Sequence, residues 1–191
     1  TEIYTLSLHD ALPISRAGDV INRLRRMLKK TKPVLEPVDL NAIFREVAGL
    51  LHSDAVIRNV RVCFELDPLL PPVSGDRVQL QQVALNLVLN AFEALEEVPR
   101  ESRRVRIRTR LEGAQILAAV EDTGKGIPPE ASERIFDSYY TTKLQGLGMG
   151  LSISRSVLQR HKGRIWFENR PAGGVTFYFS LPAAAGGDLP E

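Results

Sequence analysis

Three short segments combine residue types that can hold a phosphorylated ligand. Asn86 and Asn90 lie four residues apart in a predicted helix, so both amides would project from one helical face. Residues 122–126 read Asp-Thr-Gly-Lys-Gly and follow a predicted strand, whereas residues 146–150 read Gly-Leu-Gly-Met-Gly and precede another predicted helix. Each segment alone is a weak signal. Together, an amide pair, a carboxylate beside two glycines and a glycine cluster indicate a nucleotide site.

The two asparagines suit a phosphate that carries magnesium. Magnesium keeps several waters and prefers oxygen ligands that it shares with phosphates. An amide oxygen from Asn90 would supply one ligand without adding negative charge beside a triphosphate. Glu93 lies within one turn of Asn90 and could orient a ligand or a base. In isolation the asparagines would be interpreted as polar residues on an exposed helix face, and Glu93 fits a plain surface role equally well.

Asp122 has the chemistry to select a base. A buried carboxylate at a strand end can accept a hydrogen bond from the amino group of adenine, which the carbonyl of guanine cannot donate. Gly124 and Gly126 would let the backbone approach the ring and adopt unusual dihedral angles. The pattern alone also fits a plain turn or a calcium loop. Calcium is disfavoured because no further oxygen ligands follow at the spacing of a calcium loop.

The glycines at positions 146, 148 and 150 suit a phosphate. Bare backbone amides at a helix N-terminus bind anions, and the helix dipole favours negative charge there. The segment is not a Walker loop, because no Gly-Lys-Ser/Thr follows it. It is not a Rossmann fingerprint either, because it comes late in the chain and no acidic ribose ligand is placed after it.

Hydrophobic periodicity predicts the elements that would position these segments. Asp39 and Asp76 are predicted N-caps of two helices, which run to about His52 and about Glu97. The first helix has a predicted buried stripe of Leu40, Ile43, Val47, Leu50 and Leu51. A third helix is predicted over residues 149–160, and alternating patterns predict strands over residues 60–66, 104–111, 115–121, 164–168 and 175–181. Residues 122–147 are long, polar and punctuated by glycine, which is typical of a functional lid.

Composition excludes several function classes. The chain has 191 residues and 43% hydrophobic content, enough for one domain with a core plus an appendage. A net charge of +2 gives no global attraction to nucleic acid or anionic membranes, and the arginines at positions 104, 106, 108 and 110 are predicted to form a solvated sheet face. Cys63, the single cysteine, cannot form an internal disulfide, and no apolar run reaches about 18 residues. We therefore expect a cytoplasmic chain without membrane contact.

The order and separation of these motifs resemble the ATP-binding domain of bacterial sensor histidine kinases, over roughly residues 39–181. That domain belongs to the superfamily of gyrase, the mismatch-repair ATPases and a heat-shock chaperone. The resemblance implies a two-layer α/β sandwich of the Bergerat type over residues 39–182, with a mixed sheet covered by helices on one face. It also implies a disordered tail at residues 183–191.

The resemblance assigns roles to individual residues. Asn90 is the implied metal ligand, and Asn86 contacts the phosphates or a metal-bound water. Lys143 is a mobile cation for the terminal phosphates, in a lid segment (residues 134–143) anchored by Phe136. Thr176, in the Gly-Gly-Val-Thr-Phe run, is expected near the adenine through a water. The implied nucleotide-binding set is Asn86, Asn90, Asp122, Gly124, Gly126, Lys143, Gly146, Gly148, Gly150 and Thr176.

Residue 86 distinguishes between reactions within the superfamily. The members that hydrolyse ATP place a glutamate four residues before the metal-binding asparagine, where it can activate water as a general base. This chain has Asn86 there, and an amide cannot accept a proton at neutral pH. The resemblance therefore favours transfer to another nucleophile over rapid hydrolysis. The implied catalytic residues are Asn86, Lys143 and Glu93.

The N-terminal region is expected to contain foreign sequence. Residues 2–14 read as the in-frame translation of a common sequencing-library adapter, so residues 1–14 are expected not to be native. His9-Asp10 then imitates a phosphoacceptor motif by accident. Residues 15–32 are predicted to form an amphipathic helix, which resembles the end of the dimerisation hairpin but also fits a surface helix of its own domain. Residues 33–38 are a predicted linker, and His52 and His161 are interpreted as structural.

The resemblance implies the catalytic part of a two-component sensor histidine kinase, which transfers the γ-phosphoryl group of ATP to a histidine. ATP and Mg²⁺ are the implied cofactors. The implied partners are a histidine-bearing dimerisation domain, from the same chain or a homodimer partner, and the receiver domain of a response regulator. Three alternatives stay open: a nucleotide-binding interaction module without kinase activity, an ATP-hydrolysing member of the superfamily, and a serine-kinase relative.

Overall fold

The computed structural model describes residues 35–141 and 148–184 of the chain. Its main feature is a five-stranded sheet with the strand order β2-β4-β5-β7-β6. Only β2 and β4 are parallel, and the other three neighbouring pairs are antiparallel. The sheet is therefore mixed, as predicted. Its strands are β2 (Arg61–Leu66), β4 (Arg104–Glu112), β5 (Gln115–Asp122), β6 (Arg164–Asn169) and β7 (Val175–Pro182).

Three longer helices cover one face of this sheet. They are α1 (Leu40–Leu50), α3 (Arg77–Ala94) and α5 (Gly150–Arg160), and the short helices α2 (His52–Ile57) and α4 (Pro129–Ser132) lie between longer elements. Asp39 caps α1 and Asp76 caps α3 through side-chain oxygens that accept from backbone amides of the first turn. Both predicted N-caps are confirmed.

The two faces of the sheet differ because side chains alternate along each strand. The face toward the helices carries Ile116, Val120, Phe177 and Phe179, which pack with helical residues such as Phe44 in one core. The opposite face carries the arginines of β4 together with Glu121, Trp166 and Tyr178. We call these the inner and the outer face. This arrangement confirms the predicted α/β sandwich with helices on one face.

A second, two-stranded sheet includes residues of the predicted linker. Strand β1 (Glu36–Val38) pairs antiparallel with β3 (Val73–Gly75), so part of the predicted linker belongs to the domain. At the other end, the Ala183 amide donates to the Ala114 carbonyl (3.0 Å) and the Ala184 amide donates to the Pro72 carbonyl (2.8 Å). These two residues of the predicted tail are therefore ordered by backbone pairing. Residues 1–34 and 185–191 lie outside the described residues. The predicted adapter sequence, with its His9, and the predicted helix over residues 15–32 both fall in the first of these ranges.

The first helix is shorter than predicted. It ends at Leu50, and a separate helix, α2, follows at once. Leu40, Ile43 and Val47 are buried as expected, but Leu50 is 70% exposed, so its predicted burial is wrong.

Arginines of the predicted solvated face form ion pairs with glutamates of neighbouring strands. Arg106 and Arg108 both lie within salt-bridge distance of Glu121, and Arg106 also pairs with Glu65. Cys63 is a free cysteine and is exposed. Among the helices that the structure describes, none is long and apolar enough to cross a membrane.

Candidate nucleotide-binding site

Asp122 is the last residue of β5, and its carboxylate is buried against the beginning of β7. Its side chain is 1% exposed. The Gly124 amide donates to Oδ1 at 2.7 Å, and the Val175 amide donates to the same oxygen at 3.4 Å. Because both bonds reach Oδ1, the second oxygen, Oδ2, is the acceptor that this carboxylate can offer to a ligand.

The pKa of Asp122 reflects this burial. Removal from water raises the pKa of the carboxyl group from 3.8 to about 6. The hydrogen bonds from the Gly124 and Val175 amides and the charge of Arg170 act in the opposite direction, while the charge of Glu121 adds to the rise. At neutral pH the group is ionised at an energetic cost, which is the state that accepts a hydrogen bond from an amino group.

Gly124 is fitted between Asp122 and the end of helix α3. A Cβ at this position would lie 2.8 Å from the Ala94 carbonyl oxygen and 2.8 Å from Asp122 Oδ1. No side chain can be accommodated there without moving the helix or the carboxylate. The close approach explains the first glycine of the Asp-Thr-Gly-Lys-Gly segment, and it brings the end of α3 close to Asp122.

Asn86 joins α3 to the beginning of α5. The side chain is buried, and Nδ2 lies 3.3 Å from the Gly150 carbonyl oxygen and 3.4 Å from Ser154 Oγ. Ser154 Oγ also donates to the Gly150 carbonyl at 2.9 Å. The structure therefore brings Asn86 and Gly150 together, as a shared phosphate site requires. It also shows that Asn86 is not an exposed residue on a helix face.

Asn90 and Glu93 lie between the two ends of this arrangement. Helix α3 carries Asn86 beside Gly150 at one point and Ala94 beside Gly124 eight residues later, a rise of about 12 Å. That distance is comparable to the length of a nucleoside triphosphate. Asn90 is half-buried and lies one turn from Asn86, while Glu93 is half-buried near the base end. The helix thus orders the candidate residues along one line.

The glycine cluster leads into helix α5. Gly150 is the first residue of α5, and Met149 at the N-cap makes no side-chain capping bond. The first amides of a helix have no partner within it, so this end can bind an anion. Gly148 packs against the lid segment, since its carbonyl accepts from the Tyr139 amide at 3.1 Å. Gly146 and Lys143 lie outside the described residues.

The beginning of the lid segment is attached to the core. Ala131 and Ile135 are buried, and Phe136 packs beside Phe167 with ring centroids 6.4 Å apart. The Arg134 guanidinium lies 4.6 Å from the centre of the Tyr140 ring. The structure thus supports the prediction that Phe136 anchors this segment.

Thr176 lies on the outer face of the sheet. In β7 the side chain of Val175 points into the core and its amide contacts Asp122, so the next residue points to the outer face. Thr176 is registered against Glu121 and Glu168, and it lines a cavity of about 440 Å³ on the outer face. The expectation that Thr176 approaches the adenine through a water stays a prediction.

Two residues beside Asp122 had no signal in the sequence. Asn169 and Arg170, at the β6–β7 turn, hydrogen-bond to the two ends of the segment that begins at Asp122. Ile127, the partner of Asn169, lies 42 residues earlier in the chain, and Asp122, the partner of Arg170, lies 48 residues earlier. A turn composition alone does not reveal such contacts.

We predict that Asp122→Asn changes the pH dependence of stability. Because the folded carboxyl has a pKa above its unfolded value, the native chain should lose free energy of unfolding as pH rises from about 4 to 6. The asparagine variant lacks this loss, so its stability relative to the native chain should rise over that range by up to about 3 kcal/mol. Urea unfolding of both proteins from pH 4 to 8 measures the difference.

The exposed Asp137→Asn variant is the control for removal of one carboxylate. A stability difference for Asp122→Asn that stays flat from pH 4 to 8, or falls with pH, would contradict the assigned cost of ionising Asp122.

Comparisons with known proteins agree with this geometry. Residues 75–185 match the family described as "Histidine kinase-, DNA gyrase B-, and HSP90-like ATPase". The chain is 40% identical to the sensor protein FixL of Bradyrhizobium diazoefficiens over 88% of its own length and 33% of the relative. It is 37% identical to the sensor histidine kinase TmoS of Ectopseudomonas mendocina, over 88% of its own length and 18% of that protein. The chain thus spans a third or less of these two relatives.

Solved structures give the same result. The catalytic domain of the histidine kinase ThkA superimposes with a TM-score of 0.71 at 37% identity, covering 78% of this chain and 96% of that one. ThkA in complex with the response regulator TrrA gives a TM-score of 0.75 at 30% identity, covering 96% of this chain and 53% of that one. The chain belongs to this ATPase family and contains the ATP-binding catalytic domain of a sensor histidine kinase.

Proposed function

We propose that this domain binds ATP with Mg²⁺ and transfers the γ-phosphoryl group to a histidine of a dimerisation domain, in the same chain or in a homodimer partner. The observation that carries the proposal is the line from Asp122 through helix α3 to Gly150, which matches a base at one end and phosphates at the other. The phosphorylated histidine would then pass its phosphoryl group to the receiver domain of a response regulator. The structure of ThkA with TrrA supports that partner by analogy.

Asp122 is the proposed base selector. Its Oδ1 is held by two backbone amides, so Oδ2 would accept from the adenine amino group. Gly124 and Gly126 would allow the ring to approach the backbone. A guanine carbonyl in the same position would face a carboxylate, and two acceptors repel. Burial strengthens this discrimination, because water cannot screen or replace the missing bond.

The phosphates would lie between α3 and the beginning of α5. The backbone amides at Gly148 and Gly150 would face the negative charge, and the α5 dipole favours it. Asn86 holds this helix end against α3 and would contact the phosphates or a metal-bound water. Lys143 and Gly146 are proposed for the terminal phosphates from the sequence alone.

A magnesium ion fits the donor chemistry of α3. Asn90 offers a neutral amide oxygen one turn from Asn86, and the remaining ligands would be waters and phosphate oxygens. Such an ion supplies neutralisation of the charge on the transferred phosphoryl group. Glu93, half-buried one turn further along, is proposed to orient a ligand or a base.

Phosphoryl transfer needs little covalent chemistry from the protein, so catalysis here would consist of positioning and charge neutralisation. Asn86 occupies the place where the hydrolysing relatives carry a general base, and it cannot take a proton from water. Its amide nitrogen is directed at the Gly150 carbonyl and Ser154. Transfer to an incoming histidine is therefore favoured over hydrolysis.

We predict that the chain binds an ATP analogue more tightly than the matching GTP analogue, and that Asp122→Asn removes this preference. The asparagine keeps an oxygen for the Gly124 and Val175 amides but places an NH₂ group where Oδ2 faces the base. Loss of a charged hydrogen bond should lower ATP affinity about 10- to 100-fold. Isothermal calorimetry with Mg²⁺ measures both proteins. Equal affinity of the native chain for both nucleotides would show that the base assignment is wrong.

We predict that Asn90→Ala and Asn86→Ala affect nucleotide binding in different ways. Asn90→Ala should abolish the gain in affinity for the ATP analogue that Mg²⁺ gives over EDTA, because the amide ligand is lost. Asn86→Ala should lower thermal stability and affinity with and without metal, because it separates α3 from α5. Titrations in both conditions test this. A Mg²⁺ effect that survives in Asn90→Ala and disappears in Asn86→Ala would reverse the assignment.

A further inference from the structure

Residues 122–127, which we call the base loop, are held at their far end by Asn169. The Asn169 Oδ1 accepts from the Ile127 amide at 2.8 Å, and Nδ2 donates to the Ile127 carbonyl at 2.7 Å. One side chain therefore satisfies both backbone groups of a single residue, as a strand partner would do. This fixes the point at which the base loop leaves the site.

Arg170 holds the near end of the base loop. Its Nη1 donates to the Asp122 carbonyl at 3.1 Å and to the Gly173 carbonyl at 3.3 Å. Its Nη2 pairs with Glu121 Oε1 at 3.1 Å. A guanidinium is planar, always charged and carries five donors in a fixed fork, so these bonds set the position of the Asp122 backbone. Asn169 and Arg170, which we call the loop clamp, are thus adjacent and bind opposite ends of the loop.

The turn that carries the loop clamp is itself closed by backbone bonds. The Arg170 amide donates to the Gly174 carbonyl and the Gly173 amide donates to the Arg170 carbonyl, both at 3.0 Å. The loop is fitted to this turn, since Gly126 has φ +78° and a Cβ there would lie 2.9 Å from Asn169 Oδ1. The second glycine of the loop is therefore required by contact with Asn169 as well as by its backbone conformation.

Glu121 connects the loop clamp to the outer face. It is 7% exposed and pairs with Arg108 at 3.1 Å as well as with Arg170. Glu121 and Asp122 are consecutive in β5, so their side chains point to opposite faces. A buried carboxylate that lost Arg170 would be left partly uncompensated, and Arg170 without Glu121 would lose its ion-pair partner while it keeps its bonds to the Asp122 and Gly173 carbonyls. Glu121 therefore links the outer face to one of the two residues that hold the base loop.

We propose that Asn169 and Arg170 are positioning residues for base recognition, and that Glu121 supports Arg170 from the outer face through their ion pair. The proposal rests on the proposed ATP-binding function. None of the three side chains takes part in the proposed contacts with the nucleotide. They fix where Asp122 Oδ2 and the backbone of residues 124–126 meet the base. Their loss should therefore weaken the hydrogen bond between Asp122 and the adenine amino group more than the binding of the phosphates.

The test compares ATP with ITP, which carries a carbonyl in place of the adenine amino group. Calorimetry in Mg²⁺ gives both affinities for the native chain and for Asn169→Ala, Arg170→Ala and Glu121→Gln. ATP affinity should fall about tenfold in the first two variants while ITP affinity changes less than about twofold, since ITP lacks the bond to Asp122. Glu121→Gln should also lower ATP affinity more than ITP affinity, but by a smaller factor.

Conservative variants separate positioning from general damage. Asn169→Asp keeps an acceptor for the Ile127 amide but sets a carboxylate oxygen against the Ile127 carbonyl, so it should behave like Asn169→Ala. Arg170→Lys keeps the charge without the fork and should rescue only part of the loss. Thr109→Val is the control, since it removes buried hydrogen bonds to Asn41 and Asp67 at the other end of β4. It should lower thermal stability without changing the ATP-to-ITP ratio.

The outcomes are distinguishable. A native chain that binds neither nucleotide, or binds both equally, contradicts the proposed base recognition, and this inference falls with it. If the native chain prefers ATP but the clamp variants lose affinity for ATP and ITP in parallel, the proposed role of the loop clamp is wrong. The same holds if the clamp variants retain the full preference for ATP. Selective loss of ATP in the clamp variants, absent in Thr109→Val, supports it.

Discussion

The burial of one carboxylate organises this site. Asp122 closes β5 at the point where the end of helix α3 and the beginning of β7 converge, and its ionised form is tolerated because two backbone amides and the charge of Arg170 favour it. Gly124 has no room for a side chain because the helix and the carboxylate both press on it. The path of the loop and its contact with the end of α3 depend on how this group is held, and so does the proposed position of the base.

Helix α3 connects Asp122 to the proposed phosphate end of the site. It is capped by Asp76, contacts Gly124 at its last turn and is joined to α5 by Asn86. Its apolar residues, among them Leu87 and Phe92, are fully buried in the core, so the helix cannot shift without opening the core. In the proposed function this rigid helix would hold the Asn90 amide at a fixed position between the base and the phosphates.

Much of this could be predicted from the sequence, because the relevant signals are local. Two aspartates before apolar periodic runs marked both N-caps, and alternation marked the strands of the main sheet. The features that the sequence did not reveal depend on long-range pairing and on register. The pairing of β1 with β3 joins segments more than thirty residues apart and has no local signal. The face on which Thr176 lies also had no local signal, because a shift of one residue in a strand exchanges inside for outside. Asn86 was predicted from the sequence as a nucleotide-binding residue. Its contact with Ser154, 68 residues later, could be seen only in the folded structure.

In the proposed reaction, this domain gives the γ-phosphoryl group of ATP to a histidine. The most direct measurement incubates the chain with γ-labelled ATP, Mg²⁺ and a histidine-bearing dimerisation domain supplied in trans from a relative, followed by acid and base treatment of the labelled protein. Histidine phosphorylation should give an acid-labile, base-stable label on the supplied domain, none on His9, and loss of the label with Asp122→Asn. Phosphate release without any label would indicate an ATP hydrolase, an acid-stable label would indicate serine transfer, and either result would rule out transfer to histidine.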